Sequence, residues 1–448
     1  MTREHLLVVG GVAAGLAAAM EARRRAHALD ITVLEKTADI SYGACGLPYV
    51  VSGLIPSLAS LNVHTPEYFS ERHNIKVLTR TEALEILPAR ATVRVREEGA
   101  GEREIGYSSL VIATGAQAVC PPLPGRDLAG IFALRHMRDG RRLLNFIERE
   151  RPRRALVVGA GYIGLEMAEA FAARGLPTTL VQATDKVMNT VGGALRDRVT
   201  DELRAHGVEV LLGERVAAFE GEGGRVGRVL TEAGRAVAAE LVLVGVGVHA
   251  NVDVARAAAI EIGETGAIAV DAEQRTSAPG VYAAGDCCEV VNRVSGRRVW
   301  HPLGQPAVKQ GWTAGANATG ARERYAGIVG TNVVKVFDLE IARTGLSLEE
   351  AHEAGFDATL AETETLSRAV YYPGASKILT RLVTDRQGRL LGAEMVGREG
   401  VAQRANVYAA ALHAGLRVDE LERLDLAYAP PFAPTIDPIL RAAHKAKR

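Results

Sequence analysis

Residues 5–35 read HLLVVGGVAAGLAAAMEARRRAHALDITVLE: an apolar run, a glycine-rich turn, an alanine-rich segment, then a second apolar run ending in Glu35. Short continuous apolar runs of this kind suit strands buried on both faces of a parallel sheet. The glycines between them suit a tight strand-to-helix turn, so the stretch is read as a βαβ unit. Residues 154–182, RALVVGAGYIGLEMAEAFAARGLPTTLVQ, repeat the design. Two such units about 150 residues apart imply two dinucleotide-binding domains in one chain.

Composition is consistent with this. The chain has 448 residues, 53 Lys plus Arg against 53 Asp plus Glu, and 48% apolar residues. A balanced charge excludes a broadly basic nucleic-acid binder, since neutralising phosphates needs an excess of cations. Apolar content at this level excludes disorder. The four cysteines, Cys45, Cys120, Cys287 and Cys288, show neither zinc-ligand spacing nor a C-x-x-C pair. No metal site is therefore expected, and a reducing compartment is the default. The start of the chain has too short an apolar stretch for a signal peptide, and no run approaches the roughly 18–20 residues that span a bilayer. A cytoplasmic protein with no membrane contact is expected.

Further strands are expected at Leu110 to Gly115 (LVIATG), Leu241 to Val248 (LVLVGVGV) and 280–286 (GVYAAGD). The first unit is read as discontinuous, with the second inserted into it. From about residue 322 the texture changes. TNVVKVFDLEIARTGL, AVYYPG and KILTRLVTD read as antiparallel strands, followed by helices around 400–415. The fold class is thus α/β, with two Rossmann-like domains and a C-terminal α+β domain. The expected partition is 1–112 with 249–321, then 113–248, then 322–448.

Two cradles and one cysteine carry the chemistry. Backbone N–H groups can approach a pyrophosphate at a helix N-terminus where glycines clear the way. Gly159, Gly161 and Gly164 form a complete G-x-G-x-x-G at the second strand-to-helix junction. In the first unit Gly10, Val12 and Gly15 occupy the three positions, with Gly11 beside them. Glu35 lies 20 residues beyond Gly15 and can accept both ribose hydroxyls of an adenosine. The equivalent residue of the second unit is Gln182, which does not repel a 2′-phosphate as a carboxylate would. NADH and NADPH both stay open, with Lys186 close by. In SYGACGLPYVVSG, Cys45 lies ten residues after Glu35 and precedes an apolar run that reads as a helix start. A cysteine so placed is expected to have a stabilised thiolate. Cys287 and Cys288 suit strand packing.

The motifs GGVAAG, VLEK, LVIATG, GAGYIG, GVYAAGD and AYAPPFAP together resemble the pyridine nucleotide–disulfide oxidoreductases over essentially the whole chain. The resemblance implies FAD on the first unit and NADH or NADPH on the second, with a C-terminal dimerisation domain and a homodimer. It implies cofactor contacts from Gly10, Gly11, Gly15, Glu35, Lys36, Ala113, Thr114, Gly115, Gly285 and Asp286 for the flavin. For the nicotinamide nucleotide it implies Gly159, Gly161, Gly164, Gln182 and Gly247, with Tyr162 covering the flavin until nicotinamide displaces it.

Position 50, five beyond Cys45, is Val50, so the two-cysteine C-x-x-x-x-C branch is excluded. The loop Gly11-Val12-Ala13-Ala14 lacks the histidine usual in the peroxidase and oxidase branch. SYGACGLPYVVSG, YYPGASK and LAYAPPF are similar to the coenzyme A-disulfide reductases. That branch implies Cys45 as the redox residue, Tyr428 together with Tyr371 or, alternatively, its neighbour Tyr372 reaching the partner subunit's cysteine, and Arg23, Arg24 and Ser41 near the substrate. Coenzyme A is then a further ligand, and Glu21 on the same helix weakens the expected phosphate contact. The implied reaction is reduction by NAD(P)H, through FAD and Cys45, of a small disulfide, persulfide or polysulfide. The alternatives are an NADH oxidase cycling a cysteine sulfenic acid and a flavin-bearing redox sensor.

Overall fold

The computed structural model describes residues 4–447. Its first sheet is wholly parallel, in the order Val281–Ala283, Ser109–Ile112, His5–Val9, Asp30–Leu34, Lys76–Leu78. The second is also parallel, in the order Glu209–Leu212, Thr178–Gln182, Ala155–Val158, Leu241–Val244, Ile131–Phe132. Central strands such as Ala155–Val158 and Leu241–Val244 are buried along their length, as runs of Val and Leu covered on both faces must be. Each unit also carries a three-stranded antiparallel meander: Thr81–Leu87, Thr92–Glu97 and Gly101–Gly106 in the first, Val216–Glu222, Arg225–Thr231 and Ala236–Ala238 in the second.

The chain leaves the first sheet after Ile112 and rejoins it at Val281. Both crossings run through one antiparallel ribbon, Ala116–Ala118 paired with Val248–Ala250. Beside it, the Thr114 hydroxyl donates to the Asn251 carbonyl (2.7 Å) while the Asn251 amide donates to the Thr114 carbonyl (2.8 Å).

The C-terminal unit is a five-stranded antiparallel sheet, ordered Asn332–Val336, Leu339–Gly345, Leu390–Gly397, Lys377–Asp385, Ala358–Leu366. Helix Val401–Ala414 lies where helix was expected. AVYYPG is not a strand. Residues 370–374 form an exposed turn after the buried Ala369, because Pro373 cannot donate to a ladder and Gly374 takes a left-handed φ of 81°. The strand lies upstream instead, at Ala358–Leu366. One apolar cluster joins all three units, running from Leu47 and Val50 through Leu165 and Phe171 to Val336 and Leu379.

The alanine-rich helix Ala13–Arg25 packs against Gly304–Asn317 at close range. A Cβ at Gly315 would lie 2.1 Å from the Ala18 carbonyl oxygen, and one at Gly311 would lie 2.4 Å from that of Ala14. Gly315→Ala is therefore expected to cost about 1–3 kcal/mol through overpacking against backbone. Gly304→Ala, with no neighbour within 4 Å of its added carbon, is expected to stay within about 0.5 kcal/mol. Thermal melts of the two variants distinguish them, and equal Tm values would refute the packing argument.

Candidate active site

The first glycine loop is built by close approach. Gly10 has a φ of 121°, and a Cβ there would lie 2.1 Å from the Ala113 carbonyl oxygen. At Gly15 a Cβ would meet the Gly10 oxygen at 1.8 Å, so the helix start can rest on the strand end as drawn with glycine alone. Glu35 is buried at the end of the neighbouring strand. One of its oxygens accepts from the Gly11 N–H (3.0 Å), and the other accepts from the Thr37 N–H (2.9 Å) and hydroxyl (2.8 Å). Lys36 stands exposed beside it. Ala113, Thr114 and Gly115 form the turn that faces Gly10, locked by Asn251.

The second loop repeats this geometry. A Cβ at Gly164 would meet the Gly159 oxygen at 1.9 Å, whereas Gly161 has open space beside it. Gln182 takes the place of Glu35: its Oε1 accepts from the Ala160 N–H (3.0 Å), and its Nε2 donates to the Thr184 hydroxyl (2.8 Å). Tyr162 begins the helix, and its hydroxyl donates to Asn332 Oδ1 (2.6 Å) and lies 3.1 Å from the Thr190 hydroxyl. Gly247 lies on the ribbon, its carbonyl accepting from Val119 N–H (2.9 Å).

Asp286 sits at the C-terminal end of strand Val281–Ala283. Gly285 N–H donates to the buried Gln310 side chain (3.1 Å), which in turn donates to the Glu289 carbonyl (3.1 Å). The Asp286 carboxylate accepts from Arg135 (2.5 Å), whose Nε also donates to the Ala116 carbonyl (3.3 Å). Arg135 was not among the residues read from the sequence. No motif marks it, and its partner lies 151 positions away. Nearby, His301 is half-buried, with its Nε2 inaccessible and unpartnered.

Cys45 lies in the short turn Ala44–Gly46, directly before helix Leu47–Ser52. Its loop is tied to the first cradle by Ser41 N–H donating to the Gly11 carbonyl (3.0 Å), with Ser41 itself at a φ of 48°. The helix after it packs on Tyr162–Ala173 of the second unit, and the Arg174 guanidinium caps the Val51 carbonyl. Cys45 is thus reachable from solvent at the junction of both units. Its thiol is pushed up, not down: desolvation dominates, the Glu166 and Asp286 carboxylates add to it, and Arg135 and the local backbone oppose them. The helix start alone does not decide the sign. Cys287 and Cys288 are buried in the core.

At the C-terminus the Tyr371 and Tyr428 hydroxyls lie 3.5 Å apart, with Tyr371 72% and Tyr428 48% exposed. Tyr372 turns away beneath the Arg368 guanidinium, 5.6 Å from its ring centre. The hydrogen bond with Tyr371 lowers the Tyr428 phenol. Among the described residues no hydrogen bond or ion pair joins this pair to Cys45 of the same chain.

Arg23 and Arg24 do not present the expected cationic face. Arg23 is buried and donates to the carbonyls of Ala26 (3.2 Å), His27 (2.5 Å), Leu29 (2.7 Å) and Asn74 (2.8 Å). It ties the turn that follows its helix, and the Asn74 carbonyl, to the helix's last turn. Arg24 and Arg25 are held by Glu21, and Arg25 also by Glu323. Hydrogen bonding from Arg24 is the largest cause lowering the Glu21 carboxyl.

Residues 4–311 match the model of the pyridine nucleotide-disulphide oxidoreductases, and 331–438 match that family's dimerisation domain. The chain belongs to this family. It is 37% identical over 447 residues, 99% of this chain and 98% of the other, to a CoA-dependent NAD(P)H sulfur oxidoreductase of Pyrococcus abyssi. A coenzyme A disulfide reductase of Staphylococcus haemolyticus is 31% identical, covering 99% of both chains. Among solved structures, an NAD-dependent persulfide reductase from A. fulgidus superposes with a TM-score of 0.96 at 38% identity, covering 99% of this chain and 83% of that one. FAD and NAD(P)H are the cofactors of the chain. The cradles fit them: at each strand-to-helix turn glycines hold the loop tight against its own backbone, Gly161 leaves open space beside the second helix start, and the Nε2 of His301 is left without a partner. Among the described residues no helix is long and apolar enough to cross a membrane.

Arg23→Ala is expected to act on stability, at about 1.5–3 kcal/mol for the lost charge-assisted hydrogen bonds. It should lower Tm and leave the KM for any phosphate-bearing substrate unchanged. A raised KM at unchanged Tm would restore Arg23 as a substrate contact.

Proposed function

We propose that the chain is a FAD-dependent NAD(P)H oxidoreductase that reduces coenzyme A disulfide, or a coenzyme A persulfide or polysulfide, through Cys45. The observation that carries this reading is the position of Cys45. Its turn is tied to the first cradle by Ser41 N–H donating to the Gly11 carbonyl, and the helix that follows packs on Tyr162–Ala173 of the second. The sulfur substrates named for its relatives support the same chemistry.

In this reading the first cradle, with Glu35, Lys36, Ala113–Gly115, Arg135 and Asp286, holds FAD. The second, with Gly159, Gly161, Gly164, Gln182 and Gly247, holds the nicotinamide nucleotide. Bound FAD supplies a two-electron relay between nicotinamide and sulfur. Tyr162 must give up its bonds to Asn332 and Thr190 if it is to swing aside for nicotinamide. Cys45, as thiolate, attacks one sulfur of R–S–S–R′; the S–S bond breaks, Cys45–S–S–R forms and R′–S⁻ departs. The paired tyrosines are exposed and face outward, so in a homodimer they serve the partner subunit's Cys45. Tyr428, its phenol lowered by Tyr371, protonates R′–S⁻. Ser41 borders the substrate. Four free cysteines, one of them the solvent-reachable Cys45, suit a reducing, cytoplasmic setting.

Anaerobic NAD(P)H should bleach the flavin absorbance of wild-type protein, and coenzyme A disulfide should restore it. Cys45→Ser should still bleach but lose disulfide turnover by at least about two orders of magnitude, since serine cannot form the mixed disulfide. Retained disulfide turnover in Cys45→Ser would overturn the assignment. Oxygen uptake exceeding disulfide reduction in wild-type protein would favour the oxidase reading.

A further inference from the structure

A row of polar residues crosses one face of the C-terminal sheet. Asn332, Arg343, Glu394, Arg381 and Glu362 stand directly opposite one another in the ladders of its five strands. Residues paired in this way share a face of the sheet. Arg343, Glu394 and Arg381, in the middle of the row, are buried. Three members of the row reach across to the second unit. Glu394 accepts from the Gly192 N–H (3.2 Å), Arg343 donates to the Thr190 carbonyl (2.6 Å), and Asn332 Oδ1 accepts from the Tyr162 hydroxyl (2.6 Å). Arg381, which donates to Glu394 at 2.7 Å, fills the space that a Cβ on Gly192 would need.

The segment so held runs from Gln182 to the start of helix Gly193–Ala205, and it is tied to the second cradle as well. Met188 N–H donates to the Ala160 carbonyl (2.9 Å), and Thr184, which accepts from Gln182, donates to the Lys186 carbonyl (2.9 Å). The Tyr162 phenol has one proton, and Asn332 takes it, so at 3.1 Å the Thr190 hydroxyl is the donor to the phenol oxygen. Buried ions are a poor way to add stability, since desolvation offsets much of their attraction. What this row supplies is direction: each bond fixes one atom of the loop or of Tyr162.

We propose that Asn332 is a positioning residue, a latch that holds Tyr162 in place across the unit boundary, so that the C-terminal unit sets how readily the nicotinamide nucleotide enters. A nucleotide that binds only when Tyr162 is displaced has its apparent affinity reduced by the fraction of molecules in which the latch is open. Arg343 and Glu394 keep the Thr190–Gly192 backbone fixed while the tyrosine leaves, so the loop need not move with it. The inference rests on the reading that Tyr162 covers the flavin until nicotinamide displaces it, and not on the identity of the disulfide.

Anaerobic stopped-flow bleaching of the flavin-loaded protein, over a range of NADH or NADPH concentrations, gives the apparent Kd of the nucleotide. In Asn332→Leu, which keeps the size and loses the acceptor, it should fall by roughly two- to tenfold, the effect of losing one hydrogen bond. Tyr162→Phe should lower it similarly, and the double variant should go no further than either, because both remove the same bond. Asn332→Asp, whose charged acceptor holds the phenol more tightly, should raise it instead. That rise should vanish when Tyr162→Phe is added, which separates the latch from plain repulsion of the nucleotide by the new charge. The aspartate pair also carries the test on its own if Asn332→Leu does not fold. Effects that add in the double variant, an unchanged apparent Kd in Asn332→Leu with flavin bound, or a rise in Asn332→Asp that persists with Tyr162→Phe would each overturn the latch. Tyr162→Ala tells the two readings apart: a lowered Kd there with none in Asn332→Leu removes the latch alone, whereas no change in Tyr162→Ala removes the covering role and the latch together.

Discussion

The contact on which the site depends is the backbone-level approach of two helices, Ala13–Arg25 and Gly304–Asn317. Alanines on the first and glycines on the second let the helices meet with almost no side chain between them. That closeness puts Gln310 within reach of the Gly285 N–H and the Glu289 carbonyl, so the chain after strand Val281–Ala283 is held on both sides of Asp286. It also fixes the first glycine loop relative to Asp286, because the loop opens the same alanine-rich helix. A cofactor lying across the strand ends meets both features at once. Packing at this interface therefore sets the geometry of chemistry that neither helix performs.

The junction between the units is equally fixed. The reciprocal Thr114–Asn251 pair and the short ribbon hold the two crossings side by side, and one apolar cluster runs through all three units. Cys45 gains its character from this arrangement. Its turn belongs to the first unit, Glu166 to the second, and Asp286 to the strand that returns after the insertion. A cysteine placed by one domain and titrated by three segments can be tuned only if those segments do not move independently.

Much of the fold was legible because its signals are local. Apolar runs of four or five residues ending in glycine reveal buried parallel strands, and 20 residues from Gly15 to Glu35 reveal the strand-end acid. What sequence reading missed depends on distant partners. Arg135 carries no motif, since its meaning comes from a carboxylate 151 positions on. The direction of the Cys45 shift was misjudged because the helix start is visible in sequence, while burial, Glu166 and Asp286 are not. Arg23 was read as a cation near the substrate, yet the helix ends two residues later and the carbonyls of the turn that follows draw the guanidinium inward. AVYYPG has strand-forming residues, but Pro373 and Gly374 decide the backbone and leave the tyrosines exposed.

The two cradles show how one geometry can acquire two selectivities. In each, the side chain at the end of the second strand accepts from a loop N–H at 3.0 Å, from Gly11 to Glu35 and from Ala160 to Gln182. Glu35 keeps spare acceptor capacity beyond its three hydrogen bonds, which suits ribose hydroxyls, and a carboxylate in that place repels a phosphate. Gln182 is neutral, and its amide donor is engaged by Thr184. An anion placed there meets no charge of its own sign from this residue. The first cradle thus discriminates electrostatically against a 2′-phosphate, whereas at the corresponding point of the second that barrier is absent. Any preference between NADH and NADPH must then come from groups around the ribose other than the one that sets it in the first cradle, with Lys186, four residues beyond Gln182, the nearest cation in sequence.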